Sequence, residues 1–147
     1  MQKEKLLQLV AQHMESNIAE IHSSQDDYET ASSMEGGETS DPEDFSQKSE
    51  KKELQYQMQI QLDIAESNFR QLKEFIDTQY EVAKSGALIE TDKNYFLMGV
   101  AFPSVHAGKK EIIGVSPDSP AYAILNGKLK GDDFKLGTHE YTILDIA

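Results

Sequence analysis

The stretch from Met58 to Ile76, MQIQLDIAESNFRQLKEFI, decides the fold of this 147-residue chain. Two apolar series run through it, and each repeats every seven residues: Met58, Ala65 and Leu72, and Leu62, Phe69 and Ile76. Together they give the alternating four- and three-residue steps of a helix that packs a narrow apolar stripe against a partner helix. The pattern predicts a helix from about Phe45 to Lys84.

A similar pattern precedes this helix in the chain. Residues 3 to about 33 contain no Gly or Pro, and Leu7, Met14, Ile21 and Tyr28 recur every seven residues. Neither helix can bury its stripe alone, so we predict that residues 1–84 form an antiparallel coiled-coil hairpin. Such a hairpin satisfies both apolar stripes within one chain, which favours a monomer.

The segment between the two helices is strongly acidic. The chain has 26 acidic and 14 basic residues, a net charge of −12, and the 22 residues from Asp26 to Gln47 hold eight of the acids and no Lys or Arg. We expect an acidic tip loop near residues 34–45. The simplest interpretation is a solvated linker, followed by a helix start in which Asp41 caps the helix and Pro42 takes its first position.

The C-terminal third has a different pattern, which predicts a small sheet domain over residues 85–147. Short β-type runs alternate with turn residues, and Ser119, Pro120 and Gly127 bracket a short helix. The fold class predicted is therefore α+β, with a two-helix coiled coil followed by a small antiparallel sheet and one short helix. The predicted strands are Ala87–Glu90, Tyr95–Ala101, Lys110–Val115, Asp133–Leu136 and Glu140–Ile146.

Composition excludes several classes of function. The chain has no Cys, so it has no disulfide, thiolate metal site or Cys nucleophile, and the absence fits a cytoplasmic protein. No apolar run approaches the roughly 18 residues of a membrane span, so no membrane partner is expected. The net acidity argues against binding nucleic acid through a general positive field.

Individual residues that could suggest an enzyme have simpler interpretations. His13 and His22 lie nine residues apart, not at the four-residue spacing of a helical metal pair. His106 and His139 fall in predicted loops, so all four histidines are interpreted as surface residues. Ser116 and Ser119 lack the strand–turn–helix context of a nucleophilic serine.

Residues 116–133, SPDSPAYAILNGKLKGDD, and residues 141–146, YTILDI, resemble the C-terminal domain of the Gre family. These are bacterial transcript-cleavage factors that act on RNA polymerase. The shared features are a Ser-Pro helix start, a small-residue helix closed by Gly, a Gly-Asp pair and a final Tyr-x-Ile strand. The resemblance implies an N-terminal antiparallel coiled coil followed by a sheet domain related to FK506-binding proteins.

The resemblance also implies a role for the acidic tip. In the family, the coiled coil enters the secondary channel of the polymerase, where two acids spaced three apart and followed by Asn help to hold a catalytic Mg²⁺. Asp41 and Asp44 have that spacing, with Glu43 between them, so these three acids are the implied ligands of a Mg²⁺ shared with the polymerase. No stably bound cofactor is implied. Two residues differ from the family pattern: Phe45 occupies the position of the family's Asn, and Asp44 occupies the position of a longer Glu.

Two functions stay open on this resemblance. One is a transcription elongation factor that binds RNA polymerase and stimulates cleavage of backtracked RNA, with Asp41 and Asp44 assisting the polymerase's own reaction and only indirect contact with RNA. The other is a regulator of the same fold that competes for the channel without cleavage, which the changes at Phe45 and Pro42 favour. A peptidyl-prolyl isomerase is disfavoured, because the domain has no Trp and fold alone does not carry function.

Overall fold

The computed structural model describes the backbone of residues 2–34 and 42–147, and the side chains of residues 2–26 and 50–147. Two long helices come first: α1 spans Lys3–Met34 and α2 spans Pro42–Ile76. The helices predicted from the heptad pattern are confirmed, and so is Pro42 as the first residue of the second one. By compactness the chain divides into one unit of residues Met1–Met14 with Asn68–Ala147, and another of Glu15–Ser67.

The end of α2 differs from the prediction. The helix stops at Ile76 rather than continuing to Lys84, and the Thr78 hydroxyl closes its last turn by donating to the Phe75 carbonyl at 2.7 Å. Residues beyond the helix join the sheet domain instead: the Ala83 N–H donates to the Lys128 carbonyl at 2.9 Å, and Val82 forms an isolated antiparallel bridge with Leu129. The hydrogen bonds to these distant residues stabilise the non-helical backbone more than local propensity stabilises a helix, because propensity is a weak determinant at a helix end.

The C-terminal part forms a six-stranded sheet with one short helix, and the α+β fold class is confirmed. The strands lie in the order β3-β4-β2-β1-β6-β5. Their bounds are Leu88–Thr91 (β1), Tyr95–Met98 (β2), Val105–Ala107 (β3), Lys110–Val115 (β4), Asp133–Leu136 (β5) and His139–Ile146 (β6), and helix α3 spans Pro120–Leu125.

The sheet is mixed rather than wholly antiparallel, which corrects one detail of the prediction. Strands β2 and β4 run parallel, with Tyr95 beside Ile112 and Met98 beside Val115. The chain leaves β2, forms the edge strand β3, and returns as β4 between β3 and β2. Strand β3 was missed because its three residues are too few to show an alternating pattern.

Strand β2 is also shorter than predicted, because the chain turns at Gly99. This glycine has a φ of +99°, and a Cβ atom there would lie 2.5 Å from the Ser85 hydroxyl oxygen. A side chain would therefore be strained by the backbone and would also collide with Ser85. Glycine at this position allows the strand to end and the crossover to β3 to begin.

The unit that contains the sheet buries apolar side chains on both faces of the sheet. Neighbouring residues Leu88 and Ile89 belong to different core clusters, as expected because successive side chains in a strand point to opposite faces. The cluster around Leu88 is completed by the first turns of α1 and the last turns of α2, through Leu7, Val10, Met14, Leu72 and Phe75. The cluster around Ile89 includes Leu125 of α3. The N-terminal residues are thus part of the core of the sheet domain.

Lys3 joins this first turn of α1 to the rest of the same unit. Its side chain is only 3% exposed, and its ammonium donates to the Thr78 carbonyl at 2.7 Å, the Thr78 hydroxyl at 3.0 Å and the Gly86 carbonyl at 2.8 Å. The Tyr80 ring lies 5.1 Å away. No carboxylate is among these contacts, and burial lowers the pKa of Lys3 from its usual 10.5 to about 8.

The unit of Glu15–Ser67 consists of the remaining parts of the two helices. The Gln25 amide donates to the Gln59 amide oxygen at 2.9 Å, and the His22 imidazole lies 3.5 Å from the Glu66 carboxylate. Gln25 follows His22 in α1, whereas its partner Gln59 precedes Glu66 in α2, so the two helices run antiparallel here. Leu62 is buried here, as its place in the heptad pattern predicts.

Candidate functional site

The acids predicted at the tip fall outside the part of the chain whose side chains are described. Asp41 precedes the first residue of α2, whereas Glu43 and Asp44 belong to the first turn of that helix. Their assignment as Mg²⁺ ligands stays a prediction. Among the residues with described side chains, no three His, Asp or Glu residues come together in a way that could hold a metal ion.

The segment that carried the sequence resemblance forms a tightly bonded start to α3. The Ser119 hydroxyl accepts the Tyr122 N–H at 3.3 Å and donates to the Ser116 carbonyl at 2.8 Å. Pro120 follows as the first residue of the helix. The predicted Ser cap and Pro start are confirmed, and their role is structural: they satisfy backbone groups that the first turn of a helix leaves without partners.

The residues after α3 hold it to the neighbouring chain segment and to β6. Gly127 has a φ of +84°, and its N–H donates to the Ala83 carbonyl at 2.8 Å. The Asp132 carboxylate accepts the Leu129 N–H at 2.8 Å, and Gly131 donates to the Ile143 carbonyl at 2.9 Å. The Gly-x-x-x-Gly-Asp spacing of this segment is therefore explained by two turns and their hydrogen bonds.

This framework leaves several apolar side chains in solvent. Val82 and Ile124 are each 39% exposed and Leu129 is 50% exposed. Val82 and Leu129 are bridge partners, and Ile124 lies one helical turn before the Gly127 contact with Ala83. Val82 and Leu129 lie side by side, and exposed apolar side chains that adjoin one another are typical of protein-binding surfaces. We call Val82, Ile124 and Leu129 the α3 surface.

Lysines flank the α3 surface in sequence. Lys128 and Lys130 lie on either side of Leu129, and the Lys130 ammonium is 4.0 Å from the Asp145 carboxylate. An apolar centre with charged residues at its margin is the usual composition of a protein–protein interface. The sequence pattern showed the helix and its caps but not this surface, because a bridge to residue 82 cannot be inferred from residues 116–133.

A second feature near β5 and β6 is an aromatic cluster. The rings of Phe134 and Tyr141 stack at 5.1 Å between centroids, and Phe96 meets both edge-on at 5.9 and 5.4 Å. Phe96 and Phe134 are buried, so the cluster belongs to the core of the domain. A polar groove of about 610 Å³ lies beside it, and the Thr142 backbone and hydroxyl bond the carboxylates of Asp92 and Asp133 there.

The histidines are exposed, as predicted, but two of them lie in strands rather than loops. His106 is in β3, where its imidazole lies 3.5 Å from the Glu111 carboxylate on β4, and His139 is the first residue of β6. The loop prediction was wrong at these positions because both residues lie at strand positions with exposed side chains, where a polar residue does not interrupt the ladder.

Comparisons with known proteins give little similarity. No protein-family model matches the chain, and no curated protein matches its sequence. One solved structure that it resembles is the crystal structure of GreA factor homolog 1 (Gfh1) of Thermus thermophilus, at 16% identity and a TM-score of 0.36, over 98% of this chain and 94% of that chain. The fold class therefore rests on the structure of this chain, and the resemblance to the Gre family rests on residues 116–146.

Within the described residues, no helix is both long enough and apolar enough to cross a lipid bilayer.

Proposed function

We propose that this protein is a Gre-like transcription elongation factor that binds RNA polymerase through its C-terminal domain. The observation that carries the proposal is the α3 segment. The residues that resemble the Gre family by sequence form a capped helix and two glycine turns, and they leave Ile124 and Leu129 exposed together with Val82. A segment so fully bonded, yet with apolar side chains in solvent, is suited to dock on another protein.

The order of elements supports the same proposal. Two long helices precede the sheet domain, and the acidic residues between Met34 and Pro42 separate them in the sequence. In the proposed complex, the helical hairpin occupies the secondary channel and the acidic segment is its leading end. A channel lined by basic residues would attract such an end, and this attraction would speed association more than it would raise affinity.

A pull-down with bacterial core RNA polymerase tests the binding. The variant Ile124→Glu/Leu129→Glu places two charges in the α3 surface and is expected to lose binding, because burying an unpaired carboxylate at an interface is costly. The matched control is Leu144→Glu, which changes an apolar residue of β6 that is 44% exposed. Failure of the unmodified protein to bind the polymerase would refute the proposal, as would equal loss in the control.

The cleavage activity is a separate and finer proposal. Asp41, Glu43 and Asp44 would supply carboxylate oxygens, the ligands that Mg²⁺ prefers, to a metal site built mainly by the polymerase. Addition of the protein to stalled elongation complexes is expected to stimulate shortening of the transcript. The variant Asp41→Asn/Asp44→Asn keeps the size of both side chains and is expected to abolish that stimulation while binding persists.

The alternative is a regulator of the same fold that occupies the channel without cleavage. The observation that favours it is Phe45, at the position where the Gre family has Asn. If the protein binds polymerase, does not stimulate cleavage at saturating concentration, and blocks stimulation by a cleavage factor added in competition, the alternative holds and the cleavage proposal fails.

A further inference from the structure

A groove lies between the first turns of α1 and the sheet, at the opposite edge of the sheet from β5. Its volume is about 570 Å³, and it ends at the turn between β3 and β4. The residues that matter for its chemistry are Gln2, Lys5, Leu6, Leu9, Gln12 and Tyr95. All of them belong to the unit of Met1–Met14 with Asn68–Ala147. We call this feature the α1–β3 groove.

The floor of the α1–β3 groove is apolar and well supported. Leu6, Leu9 and Tyr95 are half-buried and pack against the core cluster of Leu7 and Leu97. The Tyr95 ring is also held by the Lys110 ammonium, 5.4 Å from its centroid, and that lysine is fixed by the Glu90 carboxylate at 3.2 Å. The floor is therefore rigid and preformed, which reduces the entropic cost of binding a ligand.

The rim is polar, and its Gln8 amide donates to the Glu4 carboxylate at 3.5 Å. The side-chain amides of Gln2 and Gln12 and the ammonium of Lys5 make no hydrogen bond or ion pair with any other residue whose side chain the structure describes. An amide offers both a donor and an acceptor, as a peptide backbone does. Glutamines on either end of a groove can therefore bond the backbone of an extended chain.

Two ammonium groups at this groove have no ionic partner among the described residues. Lys5 lines it, and Lys109 follows Gly108 at its end; both lysines are exposed and neither is paired with a described residue. Two acids lie close by: the Glu4 carboxylate accepts the Gln8 amide at 3.5 Å, and the Glu111 carboxylate lies 3.5 Å from the His106 imidazole. In a chain with a net charge of −12, two unpaired ammonium groups at one groove favour a ligand that carries carboxylates.

The length of the groove suits a short peptide. Gln2 and Gln12 are ten residues apart, which is about 15 Å along a helix. An extended chain covers that distance in about five residues, at about 3.3 Å per residue. Alternate side chains of such a chain point the same way, so apolar residues at every second position could rest on the floor while acidic residues face the rim.

We propose that the α1–β3 groove binds an extended acidic peptide segment of a partner protein, of about five residues with alternating aliphatic and acidic side chains. The aliphatic side chains rest on Leu6, Leu9 and Tyr95, the carboxylates meet Lys5 and Lys109, and the backbone bonds Gln2 and Gln12. This site is separate from the α3 surface, and the proposal does not depend on polymerase binding.

The test uses the full chain and a defined pool of capped pentapeptides, in which Glu or Asp occupies positions 1, 3 and 5 and Leu, Ile or Val occupies positions 2 and 4. Titration is followed by amide chemical shifts in ¹⁵N-labelled protein at low salt. Saturable shifts are expected at Ala107, Gly108 and the first turns of α1. The control pool carries Gln or Asn in place of the acids.

Charge reversal makes the test specific. The variant Lys5→Glu/Lys109→Glu changes only exposed, unpaired side chains and is expected to weaken binding of the acidic pool by at least about fivefold, as expected for the loss of two exposed ion pairs. Lys135→Glu, on the opposite edge strand β5, is the control and is expected to leave affinity unchanged. Three results would overturn the proposal: no saturable shifts, equal binding of the neutral pool, or transferred NOEs that show a helical peptide.

Discussion

Replacing the buried Lys3 with methionine tests how the N-terminal turn is attached to the sheet domain. Methionine keeps most of the apolar stem but removes the donor to the Thr78 and Gly86 carbonyls. The Thr78 hydroxyl keeps another partner, since it also donates to the Phe75 carbonyl. Two carbonyls are left unsatisfied, each at a cost of about 1–3 kcal/mol, while the penalty for burying an ammonium disappears. We expect Lys3→Met to lower the free energy of unfolding by about 2 kcal/mol at pH 7.

The same substitution has a defined pH dependence. The pKa of Lys3 is about 8 in the folded protein and near 10.5 in the unfolded chain. Between these values the unfolded chain binds the proton more tightly, so this group raises stability as pH rises from 8 towards 10.5 and gives no such gain below pH 8. Integrated from pH 7 to pH 9.5, the gain is at most about 2 kcal/mol, because it accrues over about 1.5 pH units above the folded pKa at about 1.4 kcal/mol per unit.

The assay is urea unfolding followed by circular dichroism at several pH values between 7 and 9.5, for the unmodified protein and for Lys3→Met. Other titrating groups cancel in the difference between the two. The difference in free energy of unfolding between the unmodified protein and Lys3→Met is expected to increase with pH by up to about 2 kcal/mol. Lys5→Met, two residues along the same helix, removes an exposed ammonium and is the matched control for the buried one. A difference that is constant or narrows with pH would show that burial does not lower the pKa of Lys3.

Five further substitutions test the core and the turns by urea unfolding. Gly99→Ala should lower the free energy of unfolding by about 2–3 kcal/mol. Gly108 also has a positive φ, but the space around its Cβ position is open, so Gly108→Ala should lower it by only about 1 kcal/mol. Equal losses of stability at the two positions would contradict a steric role for Ser85. Ser119→Ala should lower the free energy of unfolding by about 1 kcal/mol, and Ser119→Asp, which keeps an N-cap acceptor, should restore it. Unchanged stability in Ser119→Ala would show that the cap of α3 does not stabilise the protein. Leu7→Ala, at a fully buried position, should cost about 3–5 kcal/mol, and a cost below about 1 kcal/mol would contradict its place in the core.

Local patterns were sufficient to predict the helices and the α3 segment. The heptad positions of Leu62 and Leu72 are buried, and Ser119 and Pro120 start a helix as their types indicate. The burial of Lys3 could not be predicted, because its acceptors lie 75 and 83 residues away in the chain and a lysine near the N-terminus is ordinarily exposed. The parallel pairing of β2 with β4 likewise depends on a crossover that leaves no local signature.

In the candidate site, too, local features could be predicted from the sequence and long-range contacts could not. Sequence reasoning placed the α3 helix, but the α3 surface requires Val82, which was predicted to lie in α2 and instead pairs with Leu129. The α1–β3 groove was missed for a similar reason, because Leu6 and Leu9 lie beside the heptad positions on α1 and their contact with the sheet near Tyr95 is long-range. The roles of Asp41, Glu43 and Asp44 stay a prediction from the family resemblance.

The core that unites the start and the end of the chain also sets the order of events during synthesis. Leu7, Val10 and Met14 leave the ribosome before the strands of the sheet, and the core they share with Ile112 cannot close until about 100 more residues have been made. At 5–20 residues per second, these side chains wait on the order of 5–20 s for their partners in the sheet. Nascent or prematurely terminated chains will therefore expose an apolar helix face, and the isolated fragment 85–147 will lack one layer of its core. The core of the sheet domain is completed by residues that are made well before its strands, so it can close only after those strands have been synthesised.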